Sequence, residues 1–456
     1  MAGTAPQSTV TTPLTQPAAR GKLLQVLGVS FGVAVVIGNT ILVGILRTPG
    51  GVAERLPSPA LFLGVWILGG LYALLATLSL AEPGAMLAKS GGQYVIVRRA
   101  LGIYPGFVVG WSDWISTCGT IALGAMVFTE YLEPLVPAIQ GRRAAVGVLL
   151  VLAFAVLLWR GIRIGDLSQQ ILSALKSAAF GVLIGVCLVA PVPAAEAIAP
   201  PTFASGAALV TAAVLAVQAV IYTYDGWHGP LYFGEELKNS GRGIPRAMVL
   251  GVLLVMLIYV LLNVAFLRVL GIGRMAGEPF VAAAAGKALF GEQGDLVIRS
   301  LVLLSILSGI NATCLMAPRV VFAMGRDRLL PRGFETVNAG GTPTVGHWAS
   351  SGVAVGFIVS GTFDTVLALC AFFFVMAYTL SLVSVFLLRR NEPDAPRPFR
   401  VPGYPVTPAL ALAASLAFLV GSVVTDWSNS WKSLLLLAVS YPIYRLVVAS
   451  RSRADA

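Results

Sequence analysis

Nine consecutive positions, YTYDGWHGP at 222–230, bring together a carboxylate (Asp225), an imidazole (His228), two phenols (Tyr222 and Tyr224), an indole (Trp227), two glycines and a proline. Their neighbours, AALVTAAVLAVQAVI before and LYFG after, are as apolar as lipid. Gly226 and Gly229 admit backbone angles closed to other residues, and Pro230 lacks an amide donor, so helical hydrogen bonds near Asp225 to His228 are easily surrendered. Amides and carbonyls released at membrane depth are tolerated only where they face a polar cavity or a ligand. Asp225 can pair there with a ligand ammonium, or it can cap the helix that resumes after the break. His228 can titrate as a proton-linked gate or serve as a hydrogen-bonded spectator, and Tyr222, Tyr224 and Trp227 can line the site or simply pack. Enzymatic chemistry lacks its parts. There is no HExxH pair, the other histidine, His347, lies 119 positions further on, and no Ser/His pairing is evident, so the sequence is not that of an enzyme.

The elements that position these residues must be membrane helices. Of 456 residues, 57% are hydrophobic and 11% charged, against roughly half and about a quarter in soluble domains. Apolar runs of spanning length occur at Leu24–Leu46, Ala60–Ala81, Tyr104–Leu132, Ala144–Leu158, Leu167–Ala190, Ala208–Phe233, Ala247–Leu270, Leu296–Met324, Val345–Ser360, Thr365–Leu388, Pro408–Thr425 and Ser433–Val448. The expected fold is therefore all-α and integral to the membrane, with about twelve crossings. With the N-terminus inside, 21 of the 31 Lys and Arg residues fall on cytoplasmic segments and nine outside, which the positive-inside rule expects of a multi-pass protein with both termini cytoplasmic. That placement assigns the net charge of +11 to membrane topology and not to nucleic acid. Residues 1–20, rich in Thr, Pro, Ala and Gln, read as a disordered cytoplasmic tail; 451–456 read as a second tail, and 21–450 as a single membrane domain in the plasma membrane, or the inner membrane of a bacterium. Cys118, Cys187, Cys314 and Cys370 each lie within a span as small apolar residues. No cofactor and no metal site are indicated.

Two five-span halves correspond. The first span, FGVAVVIGNTILVGILRTPGG, is interrupted by Gly38, Asn39, Thr40 and Gly44 before Pro49, and the sixth by the 222–230 stretch. A short amphipathic piece follows the second span (GGQYVIVRRALG) and another the seventh (EPFVAAAAGKALFG). Because five is odd, the half at about 208–390 must cross in the opposite sense to that at about 24–190, with two helices at about 408–448 added. In secondary transporters, matching interrupted spans of inverted repeats mark a binding site near the midplane.

The stretch YTYDGWHGPLYFGEELKNSGRGIPRA resembles the sixth helix and following loop of the amino acid-polyamine-organocation (APC) superfamily. AKSGGQYVIVRRALG, RVVFAMGRDRLLP and RPFRVPGYPVTP carry the resemblance across the chain from Leu24 to about Pro408. It implies a LeuT-type fold with helices 1 and 6 discontinuous, and alternating-access transport of an amino acid, proton-coupled or by exchange. An amine or polyamine is the alternative cargo, and a non-transporting substrate sensor the alternative function. By resemblance, the substrate carboxylate rests on backbone amides at the helix-1 break and its ammonium on carbonyls of both breaks, in keeping with half-helix dipoles. Thr40, Val43, Gly44, Tyr222, Tyr224, Asp225, Gly226 and Trp227 are then the expected substrate residues. The family's Gly-Ser/Ala-Gly-Ile-Phe motif falls on Leu42-Val43-Gly44-Ile45-Leu46, so Leu42 should stiffen and narrow the loop, while Val43 offers no hydroxyl.

Lys176, in QQILSALKSAAF, is the sole Lys or Arg set well inside a span, where an unpaired ammonium costs at least about 2.5 kcal/mol. It resembles the helix-5 lysine that replaces a sodium ion in sodium-independent members, with Gly38 carbonyl and Ser308 or Asn311 as expected partners. Glu82, Glu235, Glu236, Arg319 and Arg326 resemble the family's cytoplasmic ion-pair collar, as a gate or as loop anchors. A heavy chain disulfide-linked through the outer loop after helix 3, as in some eukaryotic relatives, is not expected, since no cysteine lies between Cys118 and Cys187.

Overall fold

Backbone that cannot hydrogen-bond to lipid must close its own bonds as helix. A computed structural model of the protein describes residues 22–191, 205–360, 363–425, 431, 434–435 and 437–445. The expected tails at 1–20 and 451–456 lie outside the described residues, as does part of the twelfth segment, in which 437–445 are helical. In chain order the helices are α1 (Val29–Thr40), α2 (Gly44–Arg55), α3 (Pro59–Leu87), α4 (Gln93–Leu101), α5 (Ile103–Leu132), α6 (Arg143–Trp159), α7 (Ile162–Val189), α8 (Ala207–Thr223), α9 (Ser240–Met275), α10 (Val281–Phe290), α11 (Gln293–Arg326), α12 (Thr344–Ser360), α13 (Phe363–Asn391) and α14 (Val406–Thr425). Among the described residues there are isolated bridges but no strand.

Among the described residues, six helices are long and apolar enough to cross a bilayer: α3, α5, α7, α9, α11 and the part of α13 from Phe372. The α1 and α2 pair, bent by 49°, makes a seventh if taken as one span. α6 and α8, at 17 residues each, reach about 26 Å at 1.5 Å per residue. The amphipathic pieces foreseen after the second and seventh spans are α4 and α10.

The sixth apolar segment differs from its expectation as an interrupted α-helix running to Phe233. α8 stops at Thr223, the chain turns through 224–228, and a five-residue 3₁₀ turn, Gly229–Phe233, with Pro230 in its first positions, completes the segment. The missing Pro amide suits a first-turn position, where it would have no helical acceptor. α9 runs beyond its expected end at Leu270 and breaks its helical angles at Gly271.

Enclosure decides where polar groups can sit. α11 is the most buried of the six long helices and α7 the most exposed, with Val182 and Val189 on its outer face. α1 packs against α9, α7 and α11, and it approaches α9 so closely that a Cβ on Gly251 would lie 2.6 Å from Val36 Cβ. The break between α1 and α2 is therefore turned toward other helices and not toward lipid. Just before α1, Leu27 donates its amide to Glu236 O and accepts from Lys238 N, both at 2.9 Å. Those bonds tie the start of the first span to the end of the sixth.

Candidate functional site

At the first break, α1 ends at Thr40 and α2 begins at Gly44. The exposed carbonyl end of α1 carries partial negative charge and is met by a cation. Lys176 Nζ donates to Ile41 O at 2.6 Å, Gly38 O at 3.1 Å and Ile37 O at 3.5 Å. An ammonium has three donors, so the fully buried side chain is satisfied without a carboxylate. Ser305 Oγ adds a bond to Ile41 O at 2.8 Å. Ser308 and Asn311, expected beside the lysine, bond elsewhere: Ser308 lies 3.2 Å from Ser173 Oγ, and Asn311 donates to Gln169 Oε1 at 2.7 Å and accepts from Ser168 Oγ at 3.0 Å. The reason is reach, since the nearer helix-1 carbonyls already occupy the ammonium. On the far side of the break, the Leu46 amide is taken by Val43 O at 3.0 Å, which leaves the amides of Gly44 and Ile45 as the open first donors of α2.

At the second break Gly226 has φ +117°, a left-handed conformation that favours glycine. Space makes the same demand: a Cβ there would sit 2.8 Å from Asn39 C and from Thr40 N and Oγ1. Asn39 Nδ2 donates to Gly226 O at 3.3 Å, so the two breaks are in direct contact. Tyr259 of α9 lies across both, its hydroxyl 2.8 Å from Thr40 O and 3.0 Å from Thr223 O.

Beside this contact is a cavity of about 90 Å³. The first break contributes Asn39, Thr40, Leu42 and Gly44, and the second Tyr222, Thr223, Asp225 and His228. Thr117 and Thr120 of α5, Thr313 and Met316 of α11 and Phe374 of α13 complete it. Of the expected substrate residues, Thr40, Gly44, Tyr222 and Asp225 line this cavity. Val43, Tyr224, Gly226 and Trp227 are not among its lining: Val43 packs on the core, Tyr224 on Trp66 and Tyr259, Trp227 on Tyr378 at 5.0 Å, and Gly226 on the other break. Leu42 fits because α11 leaves room for it at Gly309, where any Cβ would collide with Leu42 Cδ2. The residue that precedes the 3₁₀ turn is His228 and not Asp225; Asp225 accepts from the Tyr378 hydroxyl, which lies 2.8 Å from His228 Nδ1.

The expected collar resolves into separate clusters. Arg319 grips Glu236 with two bonds, 2.5 and 2.7 Å, both side chains buried and the guanidinium over the Phe233 ring. Arg326 holds Glu235 at 2.7 and 2.8 Å. Glu82 joins neither; its partners are Arg389, Arg397 and the Val401 amide.

The residues that sequence reasoning missed are Tyr259, Ser305, Thr117, Thr120, Thr313, Met316, Phe374 and Tyr378. All sit on helices that are continuous at that depth, where one hydroxyl or ring in an apolar run does not reveal which neighbour it faces.

A protein-family model described as amino acid permease matches residues 23–444. The serine/threonine exchanger SteT of Bacillus subtilis (strain 168) is 28% identical over 430 residues, covering 92% of this chain and 95% of its own. The b(0,+)-type amino acid transporter 1 of Homo sapiens is 25% identical over 422 residues (90% and 86%), and the Asc-type amino acid transporter 1 of Mus musculus 28% over 444 (95% and 83%). These relatives are transporters and not enzymes. An apolar helical bundle whose matched region takes in both breaks, and a family match over nearly its whole length, lead to one conclusion: this chain belongs to the amino acid permease family of the APC superfamily.

Proposed function

We propose that this protein is a sodium-independent secondary transporter that carries an amino acid across the membrane by alternating access. The observation behind it is the meeting of the two breaks beside a small cavity lined by threonines, Asp225 and His228, with the Lys176 ammonium fixed on the carbonyls of Ile37, Gly38 and Ile41. A fixed cation on that carbonyl end does the electrostatic work a sodium ion would otherwise do. The Gly44 and Ile45 amides at the start of α2 await the substrate carboxylate, since a helix N-terminus attracts anions. A cavity of about 90 Å³ with threonines on four of its walls favours a small side chain, in keeping with the serine/threonine exchange named for the Bacillus relative.

On this reading the chain has twelve spans in a LeuT-type arrangement, with inverted halves at about 24–190 and 208–390, both termini cytoplasmic and the plasma membrane as location. The Glu236–Arg319 and Glu235–Arg326 pairs then stand at the cytoplasmic gate. All four cysteines are buried and free, which supports a carrier without a disulfide-linked heavy chain. Counterflow into proteoliposomes is the test. Preloaded unlabelled amino acid should draw in labelled serine, threonine or alanine equally well in sodium and in choline buffer. Strict sodium dependence, or uptake of amines with no amino acid accepted, would overturn the proposal.

A further inference from the structure

Three acidic residues among the described residues are fully buried: Glu82, Asp113 and Glu236. Glu82 and Glu236 are each held by arginine. Asp113, on α5 one turn before the cavity residue Thr117, has no ion-pair partner among the described residues. One carboxylate oxygen accepts from the Tyr232 hydroxyl at 2.6 Å, and the other, Oδ2, has no partner. The hydroxyls nearest in sequence are spent on backbone, Ser116 and Thr117 on Asp113 O and Ser112 on Val108 O. The buried cations are spent too, Lys176 on α1 and Arg319 on Glu236. A carboxylate ionised here would be a buried charge with one donor, which proteins avoid unless it is paired.

A second orphan lies between Asp113 and the cavity. The Tyr378 hydroxyl donates its one hydrogen to Asp225, so the bond to His228 assigns the imidazole proton to Nδ1 and leaves Nε2 a bare base, buried and without a partner. His228 lines the cavity and its ring lies 5.6 Å from that of Tyr232, the residue that holds Asp113. Other titratable groups that interact with Asp113 are Cys118 on its own helix and Asp225; Cys118 in turn faces Cys314 of α11 and Cys370 of α13. Tyr94 of α4 bonds Asp327, and His347 of α12 bonds Ala155 O. None of these supplies a fixed positive charge to the carboxylate.

Resting on the transport function already proposed for this protein, we propose that Asp113 is the proton site that couples amino acid uptake to a pH gradient. A proton that enters from the cavity binds the unpartnered Oδ2 of Asp113. The carboxylate becomes neutral, and the Tyr232 hydroxyl keeps its bond to the other oxygen. Asp113 releases the proton when the cavity opens to the other side. One proton crosses with each substrate, and no other reactant is consumed.

The test uses full-length protein in proteoliposomes, with labelled serine, an acidic exterior and a neutral lumen. Wild-type vesicles should accumulate serine at least tenfold, and a protonophore should abolish this. Asp113→Asn should still give serine counterflow but no accumulation. Tyr232→Phe, which removes the one donor to the carboxylate, should strengthen proton binding and move the pH profile of accumulation to the alkaline side. Counterflow without any response to the pH gradient in wild type, or full accumulation by Asp113→Asn, would overturn the proton site and leave the transporter standing. Loss of counterflow in wild type itself would instead overturn the transport function. Should Asp113→Asn fail to fold, Asp113→Glu and the Tyr232→Phe profile decide, and unchanged pH profiles in both would contradict the assignment.

Discussion

The last carbonyls of the two broken helices, those of Thr40 and Thr223, share one donor, the Tyr259 hydroxyl, at 2.8 and 3.0 Å. A single phenol on α9 therefore fixes the separation of the two breaks. Tyr259→Phe leaves both carbonyls without it in a buried setting, a loss of about 1–3 kcal/mol. The expected result is a lower unfolding temperature in detergent together with a raised KM for transport. An unchanged KM would mean that the separation does not matter to the substrate.

Lys176 is held by three carbonyls and by no carboxylate. Lys176→Met keeps the length of the side chain and removes the charge. The protein should remain monodisperse on size exclusion yet lose counterflow by at least tenfold, because the carbonyl end of α1 loses the cation it was built around. Normal counterflow in this variant would reduce the lysine to a packing role.

Gly226→Ala combines a positive φ with contacts of 2.8 Å to the backbone of the other break. Left-handed strain alone costs about 1–3 kcal/mol. Gly64→Ala is the control: Gly64 lies in α3 and a Cβ there meets nothing within 4 Å, so helix propensity should make it neutral or stabilising by about 0.5–1 kcal/mol. The pair of melting curves should move in opposite directions, or the first alone should fall.

The two ion pairs at Arg319 and Arg47 should differ in the opposite sense to their similarity in sequence. Glu236→Ala strands a buried guanidinium and should cost about 3–5 kcal/mol. Glu130→Ala breaks a pair whose side chains are 40% and 47% exposed and should cost at most about 1 kcal/mol. Unfolding measured for both variants in the same detergent checks the ranking.

How much of this is legible in the sequence depends on whether the backbone or a helix face carries the information. Gly226, Pro230 and the Gly38 to Gly44 run announce their breaks, because residues that cannot sustain a helix stand out in an apolar run. Lys176 stands out for the same reason of contrast. Its partners do not: Ile37 and Ile41 act through carbonyls, which every residue has. Asp113 is inconspicuous because its helix runs unbroken from Ile103 to Leu132 despite its glycines, and only the structure shows that its second oxygen lacks a donor. The 3₁₀ turn at 229–233 is likewise hidden, since Leu231, Tyr232 and Phe233 suit either helix type.

The most direct measurement is a density map of the full-length protein at saturating serine, compared with a map without it. New density should fill the space between Thr40–Gly44 and Thr223–His228, its carboxylate end against the first amides of α2. Serine density at any other place, or an empty cavity under conditions in which the same preparation transports serine at full rate, would contradict the binding site between the two broken helices.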